Sequence, residues 1–427
     1  LAASSTSPGA LRARPITVAV VSPGRHLFES VHDERVTLVD LSGDGPVPDL
    51  VVFSCGRDRH FEKVASAPLP GRVREAIAAG SSAVVFDAAT EAVKHKPDTT
   101  GEMHDVVRNL GASPLRCVYV TQDRDFADDY RKYCASIAFS PALAVLVHDY
   151  WVWYAFQPYE ADGERIFAQR LQAFRSRPTH RSRRYLSLNR TARGAKILFL
   201  LRLLRDGLWD AGFVSFGGFQ HPDERRGEKP RPTAEQLRRA MPGFEDMVTE
   251  LAPWLDALDA RGRVLFGMDR HEWTRLEEGN SARAVDLAEY DDSWFTVATE
   301  TEMKSSPTRI TEKSLKPLAN FHPMLVLGNP ASLQMVRSYG FTTFGDVIDE
   351  SYDEELDPRK RFDMVYRELT RLCLLDEREM LAVERRVEDK LIFNAKWGFT
   401  EFPGAYRRQR DTELVDQILA AVSRSPA

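Results

Sequence analysis

Four groups of polar residues in this chain have the types and spacing to do chemistry. The first is Arg309-Ile310-Thr311-Glu312-Lys313, followed by Pro317, then His322-Pro323 and an apolar run ending at Gly328. Thr311 is placed to cap a helix that carries Glu312 and Lys313 in its first turn. A capped helix start at the carboxyl end of a strand is an anion pocket. Lys313 there adds a full positive charge for phosphate, and Glu312 can accept hydrogen bonds from ribose hydroxyls. The same pattern also describes an ordinary helix start with a solvated lysine.

The second group is Asn189-Arg190 with Arg193 and Lys196, directly after the apolar run Tyr185 to Leu188. Three-residue intervals gather these cations near one face at the start of a helix. There Arg190 and Arg193 suit a bidentate clamp on a pyrophosphate, with Lys196 the weaker candidate. The alternative, a basic helix start with solvated side chains, is disfavoured because cations there oppose the macrodipole. The third group, Asp349-Glu350-Ser351-Tyr352-Asp353, suits sugar hydroxyls, with Asp349, Glu350 and Tyr352 as the contacts. Helix capping and a plain solvated loop fit it as well. Its spacing matches no EF-hand, so no metal is assigned to it. The fourth group is Asp87 and Glu91, after the run Ser82 to Phe86: a carboxylate pair suited to taking a proton, or the acidic first turn of an ordinary helix. His26, His60 and His148 are lesser alternatives for that role.

The elements that must hold these groups are short β-branched runs alternating with helical patterns. Ile16 to Val21, Val36 to Leu41, Asp49 to Ser54, Ser82 to Phe86 and Arg116 to Thr121 read as strands, with a helix over Arg72 to Ala79. A second series follows: Tyr185 to Leu188, a helix over Lys196 to Leu208, Phe213 to Phe216, Trp294 to Ala298, a helix from Thr311, Pro323 to Leu327, and a helix from Pro330 to Tyr339. Strands alternating with helices predict parallel, doubly wound sheets.

The predicted organisation is a loose tail over 1–15, a Rossmann-like domain over 16–174, a basic linker over 175–184, a second Rossmann-like domain over 185–356 and a helical region over 357–427. Leu372 to Leu391 is the clearest helical stretch of that last region, and the Pro-rich segment from His221 to Pro242 reads as an excursion from the core. The expected fold is thus α/β, with two Rossmann-like domains facing across a cleft, where open sheets bind ligands at the carboxyl ends of their strands.

Composition narrows the field. With 58 Lys+Arg against 63 Asp+Glu, the chain has no positive field for nucleic acid. Four scattered cysteines with no C-x-x-C pair argue against a zinc site or a disulfide framework and fit a reducing cytoplasm. The tail lacks a signal-peptide pattern, and a start without Met is expected from truncation or processing. Ile137 to Phe156 is apolar, but Pro141, His148 and Asp149 interrupt it, so a buried or peripherally seated helix is expected rather than a membrane span. Its Tyr150, Trp151, Trp153 and Tyr154 read as core more readily than as a sugar or lipid platform. Arg407, Arg408 and Arg410 leave peripheral contact with the inner face of a membrane open. Serine-hydrolase, zincin and P-loop motifs are absent.

The "TEK" run with its following proline, buried strand and glycine resembles the donor motif of the alpha-1,3-fucosyltransferases, which have the GT-B fold. The longer stretch from Val297 to Asp353, with VATET, RITEK and IDESYD, resembles uncharacterised bacterial and phage glycosyltransferase-like proteins related to them. The resemblance implies a Glu312 that contacts the nucleotide ribose, a Lys313 that contacts the diphosphate, and an acidic residue beside the donor at Glu300, where this chain reads Glu-Thr in place of Glu-Asn. Related sequences read Asn-Arg-x-x-Arg-x-His-Arg at the second group, whereas Ala195 and Lys196 stand here in the last two places.

The implied activity is glycosyl transfer by direct displacement without a metal or resident cofactor. Arg190 and Arg193 would stabilise the leaving nucleoside diphosphate, and Asp87 or Glu91 in the first domain would take the acceptor's proton. The expected partners are a nucleotide-sugar donor, GDP-fucose foremost, and a glycan, glycolipid or protein acceptor. A CMP- or UDP-sugar donor, or a non-catalytic nucleotide- or glycan-binding protein on the same scaffold, are the alternatives.

Overall fold

The β-branched runs become strands because each is too short for a helix and is bounded by turn residues. The computed structural model describes residues 14–423 apart from 22–26, 30, 32, 43–44, 56–60, 62–63, 65–66, 90–94, 151, 153–155, 157–158, 160, 220–230, 267–287 and 307–308. The chain is α/β, with two parallel sheets in two compact units: Leu1–Trp151 with Gly404–Ala427, and Val152–Pro403.

Among the described residues the first unit holds six strands, β1 (Ile16–Val20), β2 (Val36–Leu38), β3 (Leu50–Ser54), β4 (Ala83–Ala88), β5 (Cys117–Thr121) and β6 (Ala144–Val147), in the order β2-β1-β3-β4-β5-β6. Every neighbouring pair is parallel. β4 and β5 are buried along their whole length, which is why they read as unbroken apolar runs rather than alternating ones. The helix Arg407–Val422 packs on β5 and β6. It is tied down by the Arg35–Asp416 ion pair at 2.7 Å and by Arg116 donating to the Val422 carbonyl at 2.5 Å.

β6 corrects the expectation of a helix over Ile137 to Phe156. Pro141 and the His148-Asp149 pair leave only six residues of the run between them, of which Ala144–Val147 form an edge strand beside β5; six residues are fewer than two helical turns. Among the described residues no helix is long and apolar enough to cross a membrane. Arg407 does not belong to an exposed basic patch: its buried guanidinium lies 3.4 Å from the buried Asp411 carboxylate. Arg408 and Arg410 are exposed.

The second unit holds β7 (Tyr185–Ser187), β8 (Gly212–Val214), β9 (Phe295–Thr299) and β10 (Met324–Leu327), all parallel, in the order β10-β9-β7-β8. The helix Gly194–Arg205 links β7 to β8, and the helix Glu312–Ala319 lies between β9 and β10. The basic stretch expected as a linker lies inside this unit. Arg181 is buried, bridges both oxygens of Glu384 at 2.7 and 2.8 Å, and stacks 4.0 Å over Trp294. Arg177 pairs with Asp291 at 2.8 Å.

Of the Pro-rich segment, 220–230 lies outside the described residues, and Ala234–Ala240 is a helix with a Thr233–Gln236 capping box. Leu372 to Leu391 is not one helix. Asp376 and Glu379 form a capping box that starts Glu377–Arg386 afresh after Pro358–Leu374.

Candidate functional site

In the second sheet the chain leaves β7 toward β8 on one side, while β9 sits on the other side and leads on to β10. Between the carboxyl ends of β7 and β9 the connections therefore diverge, and an open parallel sheet forms its ligand crevice at such a point. The residues that emerge there are Asn189-Arg190 after β7 and Glu300 after β9.

Asn189 is fully buried and welds three strand ends together. Its N–H donates to Ser215 Oγ at 2.7 Å, its Nδ2 donates to the Ser187 carbonyl at 3.2 Å and to Ser187 Oγ at 3.0 Å, and its Oδ1 accepts from Thr299 Oγ1 at 2.7 Å. With both amide atoms engaged, it holds the crevice floor and presents Arg190. A signal for this exists in the sequence: Ser187, Ser215 and Thr299 are hydroxyl residues at or next to the carboxyl ends of three runs that read as strands.

Glu300 is buried and folded back onto the 312–319 helix. Its Oε1 accepts from the Thr311 N–H at 3.0 Å and from Ser314 Oγ at 2.6 Å, and its Oε2 accepts from Thr311 Oγ1 at 2.8 Å. Thr311 in turn caps the helix, accepting the Lys313 N–H at 3.4 Å. The helix start therefore already faces a carboxylate of its own chain on that side, which modifies the expectation of an open anion pocket. Positive charge for a ligand must come mainly from side chains.

Those side chains are present. Lys313 Nζ pairs with Glu312 Oε1 at 2.8 Å and is about one-third exposed. Burial opposes its charge, yet Glu312 and Glu300 hold its pKa above the ordinary lysine value. Burial likewise opposes the charge of Glu312, but Lys313 and Lys316 hold its carboxyl down at about 2. Both are thus ionised at neutral pH.

Lys196 reaches the same place from the first turn of the 194–205 helix. It is 4% exposed, and among the described residues it makes no hydrogen bond or ion pair. Burial, then Lys313, pull its pKa down to about 7, with Glu300 opposing, Arg193 adding and Glu312 opposing. The structure therefore brings Lys196, Lys313, Arg193, Glu300 and Glu312 within electrostatic reach of one another, although the first and last are separated by more than a hundred residues of chain. Arg190 is half-buried and Arg193 exposed.

Gly217 and Arg361, absent from the sequence reading, and Gly328, read there only as the end of an apolar run, complete the site. Gly217 passes so close to the backbone of Arg190 that a Cβ there would overlap the Arg190 carbonyl. At Gly328 a Cβ would stand 2.9 Å from the Glu300 Cβ, so the glycine ending β10 makes room for the acid ending β9. Arg361, buried in the 358–374 helix, donates Nε to the Gly328 carbonyl at 2.8 Å and its other nitrogens to the carbonyls of Lys304 and Glu355. It ties together the loops that leave β9 and β10. A lone arginine on a charged helix gives no sign of this.

The remaining candidates have other partners. Tyr352 is buried, and its hydroxyl accepts the Val326 N–H at 3.2 Å. Glu350 accepts from Thr343 Oγ1 at 2.9 Å and from the Phe344 N–H at 2.5 Å. Asp349 accepts from the Ser351 N–H at 3.0 Å. Asp353 caps the Ser332–Ser338 helix through the N–H groups of Leu333 and Gln334 at 2.8 and 3.0 Å. The acidic run thus caps and packs its own surroundings.

Asp87, at the end of β4, is buried and accepts the Leu27 and Ala89 N–H groups at 2.5 and 3.0 Å. Glu91, His26, His60, Trp151, Trp153 and Tyr154 lie outside the described residues. Among the described residues no three His, Cys, Asp or Glu side chains are grouped to hold a metal ion.

Comparison with known proteins gives no family. No protein-family model and no curated protein matches this sequence.

Proposed function

We propose that this protein is a glycosyltransferase of the GT-B class, related to the alpha-1,3-fucosyltransferases, that binds a nucleotide-sugar donor at the carboxyl end of its four-stranded sheet and transfers the sugar to a hydroxyl without a metal. The observation that carries this reading is the convergence of Lys196, Lys313 and Arg193 with Glu312 at the divergence between β7 and β9. Two lysines near each other, one of them without a counter-ion, are most favourably charged together when an anion joins them. A diphosphate supplies that charge, and the same cations then stabilise the nucleoside diphosphate as it leaves. Glu312, ionised and about one-seventh exposed, is the acceptor suited to ribose hydroxyls. GDP-fucose is the first donor to try, and a glycan, glycolipid or protein the acceptor.

The test is a thermal-shift series with GDP, UDP and CMP, because a ligand that binds only the folded state stabilises it increasingly as its concentration exceeds its dissociation constant. A shift with a nucleoside diphosphate that Lys313→Ala largely removes is the expected result. An undiminished shift in that variant would remove Lys313 from the site.

A second reading, nucleotide or glycan binding without turnover, gains support from Asp87, whose carboxylate already holds two backbone N–H groups. Release of nucleoside diphosphate from a bound donor separates the two readings.

A further inference from the structure

We propose that Lys196 stands as a neutral amine in the empty site and takes up a proton from solvent when an anionic donor arrives, so that donor binding is coupled to protonation of this one residue. The inference rests on the nucleotide-sugar reading for its ligand but on the geometry of Lys196 for its mechanism.

Lys196 is almost fully buried, lies in the first turn of its helix where the macrodipole disfavours a cation, and has no carboxylate at ion-pair distance among the described residues. The charged groups around it come from three places: Lys313 and Glu312 on the 312–319 helix, Glu300 at the end of β9, and Arg193 at the start of its own helix. Glu300 is occupied by Thr311 and Ser314, and Glu312 by Lys313, so neither acid is left to neutralise Lys196. The helices Glu245–Leu251 and Leu255–Ala260, which pack on the same helix, direct their acids elsewhere: Glu245 to the Gly243 N–H, Asp246 to Arg359, Glu250 to Arg205, and Asp256 and Asp259 to Arg231. An amine in that setting gives up its proton near neutrality, in line with its value of about 7.

A diphosphate placed between Lys196 and Lys313 reverses the balance. Its negative charge favours the ammonium form, the pKa of Lys196 rises, and a proton is taken up wherever the pH lies between the empty and the occupied values. Affinity therefore falls as pH rises above about 7, by at most tenfold per pH unit for a single proton. An arginine, charged at all accessible pH, would bind the same anion without that dependence.

The experiment is calorimetry with GDP-fucose, and in parallel UDP-glucose, at pH 8 in HEPES and in Tris. The diphosphate of a nucleotide-sugar carries no group of its own that titrates between pH 6.5 and 8.5, so the difference between buffers counts protons taken up by the protein. Uptake approaching one proton, with affinity weakening several-fold from pH 7 to pH 8, is expected, and Lys196→Arg should bind with no uptake and a flat pH profile. If Lys196→Arg does not fold, Lys196→Met should bind more weakly, also with a flat profile. Tight binding without proton uptake overturns the inference and leaves the donor site standing.

Failure of both sugars to bind overturns the donor reading instead. The inference is then judged on the free protein, by NMR titration of 13C-labelled lysines with the Lys196 signal assigned by its loss in Lys196→Met. A signal that titrates near neutral pH supports it, and one that titrates above pH 10 ends it.

Discussion

Gly217 shows how much of this site depends on a single missing atom. The loop after β8 crosses the backbone of Arg190 at a distance that admits no side chain, and Asn189, one residue earlier, fixes that backbone to three strands. Gly217→Ala must push the two loops apart. Overpacking of this kind costs about 1–3 kcal/mol, and the displacement is delivered to Arg190. The expected outcome is a lowered melting temperature together with a nucleotide-induced shift reduced beyond what the lost stability explains. Gly71→Ala is the control, because a Cβ at Gly71 meets nothing within 4 Å and the residue opens a helix. It should be neutral or stabilise by up to about 1 kcal/mol. Equal losses in the two variants would mean that the close approach at Gly217 is not what limits substitution.

Asp87 belongs to the same scale. Its carboxylate holds the Leu27 and Ala89 N–H groups in the buried end of the first sheet. Asp87→Ala leaves both without their acceptor, at a cost of about 1–3 kcal/mol for each group left unsatisfied. Chemical denaturation measures this directly, and a variant as stable as the parent would show that the carboxylate is not an anchor.

At the scale of elements, the second unit depends on arginines that look from sequence like a loose basic segment. Arg181 is sandwiched between the Trp294 ring and the Glu384 carboxylate, which links the stretch before β7 to the 377–386 helix. Removing one member of a buried pair leaves the other charged and unsolvated, at about 3–5 kcal/mol. Glu384→Ala should lower the stability of this unit by that order, and the double variant with Arg181→Met should recover part of the loss. If Glu384→Ala alone changes stability by less than about 1 kcal/mol, the value of an exposed pair, the link is not structural.

This case also shows where the sequence is readable. Among the described residues, nine of the ten strands lie on apolar runs legible one at a time, because a short β-branched run between turn residues has few other fates. β6 is hidden, since its four apolar residues sit in a longer apolar stretch whose length suggests a helix. The helix starting at Thr311 and its two charged residues are legible because capping is local. The engagement of Glu300 with that helix, the closeness of Lys196 to Lys313, and the clamp made by Arg361 are not, because each depends on which strands become neighbours.

Across the whole molecule, each unit carries a buried histidine held neutral, and this fixes how the protein responds to acid. His104 in the first unit is 1% exposed, stacks on Phe139 and exchanges a hydrogen bond with the Tyr130 hydroxyl at 3.0 Å. Burial, with Arg108 adding, lowers its pKa from 6.5 to about 4. His322 in the second unit is fully buried, its Nε2 2.6 Å from the Tyr290 carbonyl and its Nδ1 3.0 Å from Thr296 Oγ1, and burial takes its pKa well below the ordinary value. The carbonyl can only accept, so Nε2 carries the proton and Nδ1 accepts from the threonine.

As pH falls through 6.5 the unfolded chain protonates both imidazoles and the folded one does not, so the unfolded state binds more protons and stability declines. For His104 the full difference, reached near pH 4, is about 3 kcal/mol. Burial raises the carboxyls of Glu350 and Asp353, which works in the opposite sense, so the assignment falls to histidine variants rather than to the slope alone. Urea denaturation at pH 7.5 and pH 5.0 should show a lower midpoint in acid. His104→Gln and His322→Gln should each cost stability at pH 7.5 yet lose less between the two pH values than the parent does. If both variants keep the parent's full acid loss, His104 and His322 are not its source, and His148, whose pKa burial also lowers to about 4, is the next histidine to replace.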